Sequence, residues 1–199
     1  MGRPRQFDER QAVAAACQAF WAKGYEATST QDLCEATGLG RSSIYNTFTS
    51  KDHLFRRALG HYIDTMTARQ IAILEEEGGS GLERIRALFA MLLEGELENR
   101  RLGRAIGCFT VNTLTEPVAE TDPEVARLLA KDLERRLDAF RAVIARGQRD
   151  GSVRSSRDPA GLAWYLTSVI AGMRIASQAG ADRSALEQIM AAGVDSLAH

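Results

Sequence analysis

The chain has 199 residues, 45% hydrophobic and 26% charged, enough to bury a core and between one and two ordinary domains in size. Lys+Arg 25 against Asp+Glu 26 leave a formal net charge of -1, which excludes a polycation that coats nucleic acid by bulk charge and an acidic disordered tail. Pro 4, Gly 17 and 7% aromatic residues exclude a fibrous or linker-rich chain, and abundant Ala, Leu and Arg favour helix. Taken in chain order, Asp8 is placed to cap a first helix, with Gln11 three positions on. Val13, Cys17 and Phe20 then share one face, and Gly24 ends the helix near Lys23.

Ser29 to Asp32 has the S-x-x-D form of a capping box. Leu33 and Ala36 supply the apolar face of a helix of about two turns, and Gly38 terminates it. After the Leu39-Gly40 turn, a second short helix from Arg41 to Phe48 carries Ile44 and Phe48 inward, leaving Arg41, Ser42, Ser43, Asn46 and Thr47 mostly outward. Ser50 caps a long helix predicted to run to roughly Glu77. Two short helices on a tight glycine turn, flanked by longer ones, make a helix-turn-helix. Gly78-Gly79-Ser80-Gly81 is the clearest break. Beyond it, 3.6-residue spacing predicts helices near Leu82 to Asn99, Ala105 to Glu116, Pro123 to Arg149, Pro159 to Ala179 and Ser184 to Leu197. The fold class is therefore all-α: an N-terminal helix-turn-helix three-helix domain over residues 1–59 and a larger C-terminal helical domain over 60–199.

Cys17, Cys34 and Cys108 are odd in number and widely spaced, which argues against a disulfide framework or a zinc site, and no metal or cofactor signature is visible. The uncharged stretch from Pro159 to Met173 is shorter than the roughly 18 residues of a membrane span. Ala12 to Ala22 follows Arg3 and Arg5 as a signal peptide would, but Asp8, Glu9 and Arg10 lie directly before it, so a cytoplasmic protein is expected.

Charge is distributed in a way that bears on function. Up to Leu59 there are eight basic against six acidic residues, and the remainder of the chain is net acidic. Arg3 and Arg5 lie in a short arm ahead of the first helix, suited to following a minor groove, although a basic terminus also serves solubility. On the outward face of Arg41 to Thr47, Arg can bond guanine twice, Asn can pair with adenine, and Ser or Thr can take either. Any exposed helix is polar; Tyr45 tips the balance, because a surface helix has no need of an aromatic whereas a phenol can reach a phosphate. Lys51, just after the Ser50 cap, adds its ammonium to the free amides of a helix N-terminus, tempered by Asp52.

Gly2-Arg3-Pro-Arg5, Gly24-Tyr25-Glu26-Ala27-Thr28-Ser29 and Gly40-Arg41-Ser42-Ser43-Ile44-Tyr45-Asn46-Thr47-Phe48, with Ser50-Lys51 and Leu54-Phe55, stand in order and spacing. Together they resemble the N-terminal domain of the tetracycline-repressor (TetR) family of bacterial transcription regulators over about Gly2 to Leu59. The chain departs from the family pattern at Asn46-Thr47, where bulkier residues are frequent, and at Gly40, where a capping Ser is frequent. The resemblance implies a homodimer on double-stranded DNA with a palindromic operator. Thr28, Arg41, Tyr45 and Lys51 would anchor phosphates, and Ser42, Ser43, Asn46 and Thr47 would be nearest the bases.

Beyond the glycine break the resemblance is architectural, implying a larger helical domain that dimerises and binds a small effector. Leu162, Leu166, Val169, Ile170 and Met173, then Leu186, Ile189 and Met190, suit either a buried core or a two-fold four-helix interface. Dimerisation also follows from function, since one short reading helix contacts too few bases. Cys108, Phe109, Asn112 and Thr113 mix polar and apolar groups as a mostly apolar pocket does, with Phe89, Phe140, Trp164 and Thr167 as further wall candidates. Asn112 also suits a bridge between helices, and Cys108 suits a buried hydrophobe better than an oxidant sensor. Rival readings are an all-helical protein-interaction module and a small enzyme. The latter lacks support, because His53, His61 and His199 have no partners in motif spacing.

Overall fold

Side-chain caps start the N-terminal helices where the sequence places them. In the computed structural model, which describes residues 8–103 and 106–198, the Asp8 carboxylate accepts the Arg10 and Gln11 amides at the head of α1 (Glu9–Ala27). Helical geometry breaks inside α1 at Gly24, whose φ of 79° lies in the left-handed region that glycine tolerates. Ser29 and Asp32 form a reciprocal capping box on α2 (Thr30–Thr37), and Gly38 closes it at φ 68°. α3 (Arg41–Phe48) ends at Thr49, a non-glycine residue held at φ 61°. Ser50 then accepts the His53 amide at the start of α4 (Lys51–Tyr62).

The helix predicted from Ser50 to Glu77 is interrupted by a π-helical turn, Ile63–Thr67, before α5 (Ala68–Glu75). The Thr65 hydroxyl donates to the carbonyls of His61 and Tyr62, competing for acceptors of the helical ladder. The remaining helices are α6 (Gly81–Arg101), α7 (Phe109–Leu114), α8 (Val118–Thr121), α9 (Pro123–Asp150), α10 (Pro159–Gln178) and α11 (Arg183–Ala198). The helix predicted from Ala105 to Glu116 is shorter than expected. Residues 106–108 are irregular, and Gly107 at φ 59° takes a conformation that a right-handed helix excludes. No strand is present among the described residues.

These helices form two compact units. The first combines the chain up to Thr65 with Phe109–Leu129, and the second combines Met66–Cys108 with the chain from Ala130 on. Against the expected division at residue 59, the segment 109–129 falls in the first compact unit, and the physical reason is Phe109. Its ring stands edge-on to Phe55 at 5.7 Å and to Tyr62 at 5.6 Å, extending a cluster in which Phe55 also meets Phe20 at 5.0 Å and Tyr25 at 4.9 Å. Each such pair adds about 0.5–1.5 kcal/mol beyond simple area burial. Arg56 donates to Asp122 at 2.8 Å, tying α4 to the head of α9 inside the same unit.

The second unit buries one apolar stripe of each of its long helices. Ile85, Leu88 and Phe89 of α6, Phe140 and Ile144 of α9, Leu166 and Met173 of α10, and Leu186 and Leu197 of α11 belong to one core. Gly81 and Gly147 bring α6 and α9 backbone to backbone: a Cβ on Gly81 would lie 2.5 Å from the Gly147 nitrogen.

This core takes up residues whose pattern suited either a core or a two-fold interface. Leu162, Leu166, Ile170, Met173, Leu186 and Met190 are buried within the chain itself, and Val169 and Ile189 are half-buried against the same core. The outward face of α10 instead carries Trp164 at 52% exposure, Tyr165 at 40% and Ile175 at 57%. A helix apolar on two faces offers two candidate interfaces, and periodicity alone does not say which one the chain keeps for itself.

Candidate nucleic-acid interface

The first unit builds a rigid base under α3. Ile44 and Phe48 are anchored at 1% and 0% exposure, so the opposite face of the short helix is fixed outward. Arg41, Ser42, Ser43 and Asn46 are exposed there, and Thr47 is half-buried with its hydroxyl donating to the Ser43 carbonyl at 2.9 Å. Tyr45 sits between the layers. Its hydroxyl pairs with Thr30 Oγ1 at 3.0 Å, and the Arg41 guanidinium lies 5.8 Å from its ring centroid. The phenol thereby links α2 to α3 while keeping one edge toward solvent.

A second cluster braces the start of α4. Lys51 Nζ lies 4.3 Å from the Tyr25 ring centroid and 3.5 Å from the Glu26 carbonyl. The Tyr25 hydroxyl donates to Asp52; burial, then Asp52 itself, pushes that phenol well above its ordinary pKa, so it remains a proton donor. Lys23 and Ser29 together hold the Asp32 carboxyl far below its usual range, which keeps the capping box of α2 ionised. His53 Nδ1 lies 2.8 Å from the Phe48 carbonyl and 3.1 Å from Thr49 Oγ1, stitching the left-handed Thr49 turn between α3 and α4.

The structure brings Arg41, Ser42, Ser43, Tyr45, Asn46, Thr47 and Lys51 together on the two helices that sequence reasoning selected. Thr28 is different: it is fully buried, with its hydroxyl donating to the Gly24 carbonyl at 2.5 Å, so it braces the kink of α1 rather than presenting a phosphate contact. Arg3 and Arg5 lie outside the described residues. Thr30, Thr49 and His53 were missed, for polar side chains that pair with neighbouring polar groups carry no periodic signal.

The predicted effector residues are divided between the two units. Phe109 and Thr113 are buried in the first unit, at 1% and 0% exposure, and Asn112 also belongs there. Phe89 and Phe140 belong to the core of the second unit, where Cys108 is buried at 6% and Thr167 is half-buried, donating to Ala163. Trp164 is exposed on α10 and so lines no interior wall of its own chain. What the sequence reading missed is a charged pair inside that unit: Glu96 and Arg174, at 3% and 6% exposure, lie 3.6 Å apart. Burial pushes the Glu96 carboxyl up, against the pull of Arg174. The signal was available, since each lies one turn beyond a buried apolar residue, Leu92 and Ile170. Burial also pushes the Cys17 thiol up to about 12, which leaves it unreactive. No described helix is long and apolar enough to cross a membrane, and no metal-binding cluster occurs among the described residues.

Two family descriptions match the chain in succession. Residues 12–58 match the family described as bacterial regulatory proteins, tetR family, and residues 81–193 match tetracyclin repressor-like, C-terminal domain. The chain is 32% identical over 188 residues to the HTH-type transcriptional repressor ComR of Escherichia coli (strain K12), covering 94% of this chain and 88% of that protein. It is 32% identical over 188 residues to the uncharacterized HTH-type transcriptional regulator YezE of Bacillus subtilis (strain 168), covering 94% of each. Among solved structures, a cysteine mutant of the TetR family transcriptional regulator CifR, complexed with 26bp double-strand operator DNA, superposes with a TM-score of 0.82 at 27% identity. That match covers 97% of this chain and 98% of the other.

Proposed function

Because the chain belongs to the tetR family of bacterial regulatory proteins, we propose that it is a homodimeric repressor that binds a palindromic operator and is released by a small, largely apolar effector. The observation that carries the reading is the exposed polar face of α3, fixed outward by Ile44 and Phe48. Ser42, Ser43, Asn46 and Thr47 are then the base-edge readers, and Arg41, Tyr45 and Lys51 hold phosphates, with Arg3 and Arg5 reaching the minor groove. The operator complex of CifR and the repressor name of ComR support this reading.

Dimerisation is supported by the outward stripe of α10, where Trp164, Tyr165 and Ile175 leave large apolar area in water. The effector is assigned to the second unit, whose interior is apolar except for polar groups such as the Glu96–Arg174 pair. Release requires that the effector bind the DNA-competent form less tightly than the incompetent one; equal affinity shifts nothing. Selection of random duplex DNA on the refolded, ligand-free protein tests the reading. The expected product is an inverted repeat with half-sites about 10 base pairs apart or a multiple of that, and no enrichment would sink it. Trp164→Glu is expected to give monomers in sedimentation and to lose the selected operator; a dimer that survives this change moves the interface elsewhere.

A further inference from the structure

We propose that Glu116 is a positioning residue for operator binding: its carboxylate holds the kink of α1 and, through Tyr25, sets where Lys51 presents its charge. The inference rests on the reading of Lys51 as a phosphate contact. At Gly24 the backbone turns to φ 79° and ψ 171°, which frees the Tyr25 amide from the i to i-4 ladder of a continuing helix. That amide donates to Glu116 Oε2 at 2.6 Å, a bond to a charged acceptor and so about twice as strong as a neutral one. A Cβ on Gly24 would stand 3.0 Å from Oε2 and 3.1 Å from Oε1. The carboxylate therefore occupies space that any other residue at 24 would fill.

The other side of the same short segment faces the DNA-binding end. The Tyr25 ring is the shelf on which Lys51 Nζ rests, its hydroxyl bonds Asp52, and the next carbonyl, of Glu26, lies 3.5 Å from Nζ. Gly24, Tyr25 and Glu26 thus connect Glu116 to Lys51 through two consecutive contacts. Beside the carboxylate lies a cavity of about 450 Å³ lined by Trp21, Gly24, Asn112 and Pro117 among others. It gives the side chain room to leave the amide without displacing a helix. Glu116 stands between α7 and α8, away from the reading helices in sequence, so movement of that segment reaches a phosphate contact without passing through α3.

The test uses the full-length protein on a duplex carrying the selected inverted repeat, with affinity measured across a salt series. Lys51→Ala is expected to weaken binding about tenfold and to lower the magnitude of the log K against log salt slope by about one. Glu116→Ala is expected to produce the same loss of slope, and the Glu116→Ala/Lys51→Ala double variant to be no weaker than Lys51→Ala alone. Glu116→Gln, whose amide oxygen still accepts from Tyr25, should stay within about twofold of wild type and keep the Tyr25 amide protected from hydrogen exchange. Glu116→Asp retains the charge but falls short of the amide; it should behave like Glu116→Ala and supplies the measurement if that variant does not fold. A wild-type slope in both Glu116→Ala and Glu116→Asp, or losses that add to that of Lys51→Ala, overturns the relay while Lys51 keeps its role. An unchanged slope in Lys51→Ala overturns the phosphate reading and the relay together.

Discussion

The two units of the chain use polar groups in opposite ways. In the first, the interior is a shell of rings, with Phe20, Phe55 and Phe109 at 0%, 0% and 1% exposure, and the exposed Arg41, Ser42, Ser43 and Asn46 ride on the surface of α3. In the second, charge has gone inside: Glu96 meets Arg174, and Asp132, 1% exposed, lies 3.1 Å from Arg136. A reading surface needs a base that does not yield, so its specificity lives in the side chains above an inert core. The second unit keeps charged pairs where an apolar core alone would often be at least as stable. The contrast predicts that core truncation is the sharper injury in the first unit and charge removal in the second.

Phe55→Ala makes the largest break. Its ring meets those of Phe20, Tyr25 and Phe109, and truncating a buried Phe costs about 3–5 kcal/mol. The two tryptophans, Trp21 and Trp164, fall one in each unit, so single-tryptophan variants report on each unit separately in urea unfolding. Phe55→Ala is expected to lower the Trp21 transition by far more than the Trp164 transition. Equal shifts would show the two units to unfold as one.

Arg174→Met is the matching injury in the second unit. It leaves Glu96 buried without its cation, at a cost of about 3–5 kcal/mol, whereas Glu96→Leu/Arg174→Met should be neutral or stabilising. The pH dependence has a definite sign. Burial holds the folded Glu96 carboxyl above its usual 4.5, so its protonation favours the folded state; that stability is full below the unfolded value and fades as pH rises through the folded one. The loss in Arg174→Met should therefore be smaller at pH 5 than at pH 8. A double variant as unstable as the single one would show that the interior depends on the packing of these two side chains rather than on charge balance.

The same contrast explains what was legible in the sequence. Capping at Asp8, Ser29 and Ser50, the inward Ile44 and Phe48, and the outward Arg41, Ser42, Ser43 and Asn46 depend on residues within a turn or two of one another and emerged as expected, while Thr47, expected outward, is half-buried. Phe109 did not, because its partners Phe55 and Tyr62 lie about fifty residues upstream and an apolar half-turn suits either unit equally. The α10 and α11 residues were recognised as apolar but left open between core and interface, since Leu166 and Trp164 differ in burial only through what α6, α9 and α11 cover. Glu96 and Arg174 come together from positions far apart in sequence. Local chemistry is written in order; the interior of a helical domain is written only as periodicity.

At the reading face the expected effects are smaller and change character. Asn46→Ala should relax preference at one base pair by about 1–3 kcal/mol while leaving the thermal midpoint unchanged, because the side chain is exposed. Selection repeated on the variant checks this, and an equal loss on all sequences would remove Asn46 from the base readers. Such a result would also weaken the contrast, by making α3 a phosphate-binding element throughout.

Asp122 tests where the first unit ends. Its carboxylate caps α9 by accepting the amides of Glu124 at 3.0 Å and Val125 at 3.3 Å, and it takes the Arg56 Nε at 2.8 Å. Burial alone would push the carboxyl up; Arg56 and the two amides overcome this and hold it below its usual 3.8. A depressed folded pKa contributes stability that is present above the unfolded value and lost as pH falls through the folded one. Asp122→Asn keeps an acceptor for the amides but not the charge, and the side chain of Arg56 is 38% exposed, so solvent screens part of the pair. The expected cost at pH 7 is about 1 kcal/mol, read from the urea midpoint of the Trp21 signal, and it should shrink as the pH falls below 4. A difference that persists undiminished in acid would mean that Asp122 acts through shape alone and that the head of α9 is held to α4 by packing around Phe109 rather than by charge.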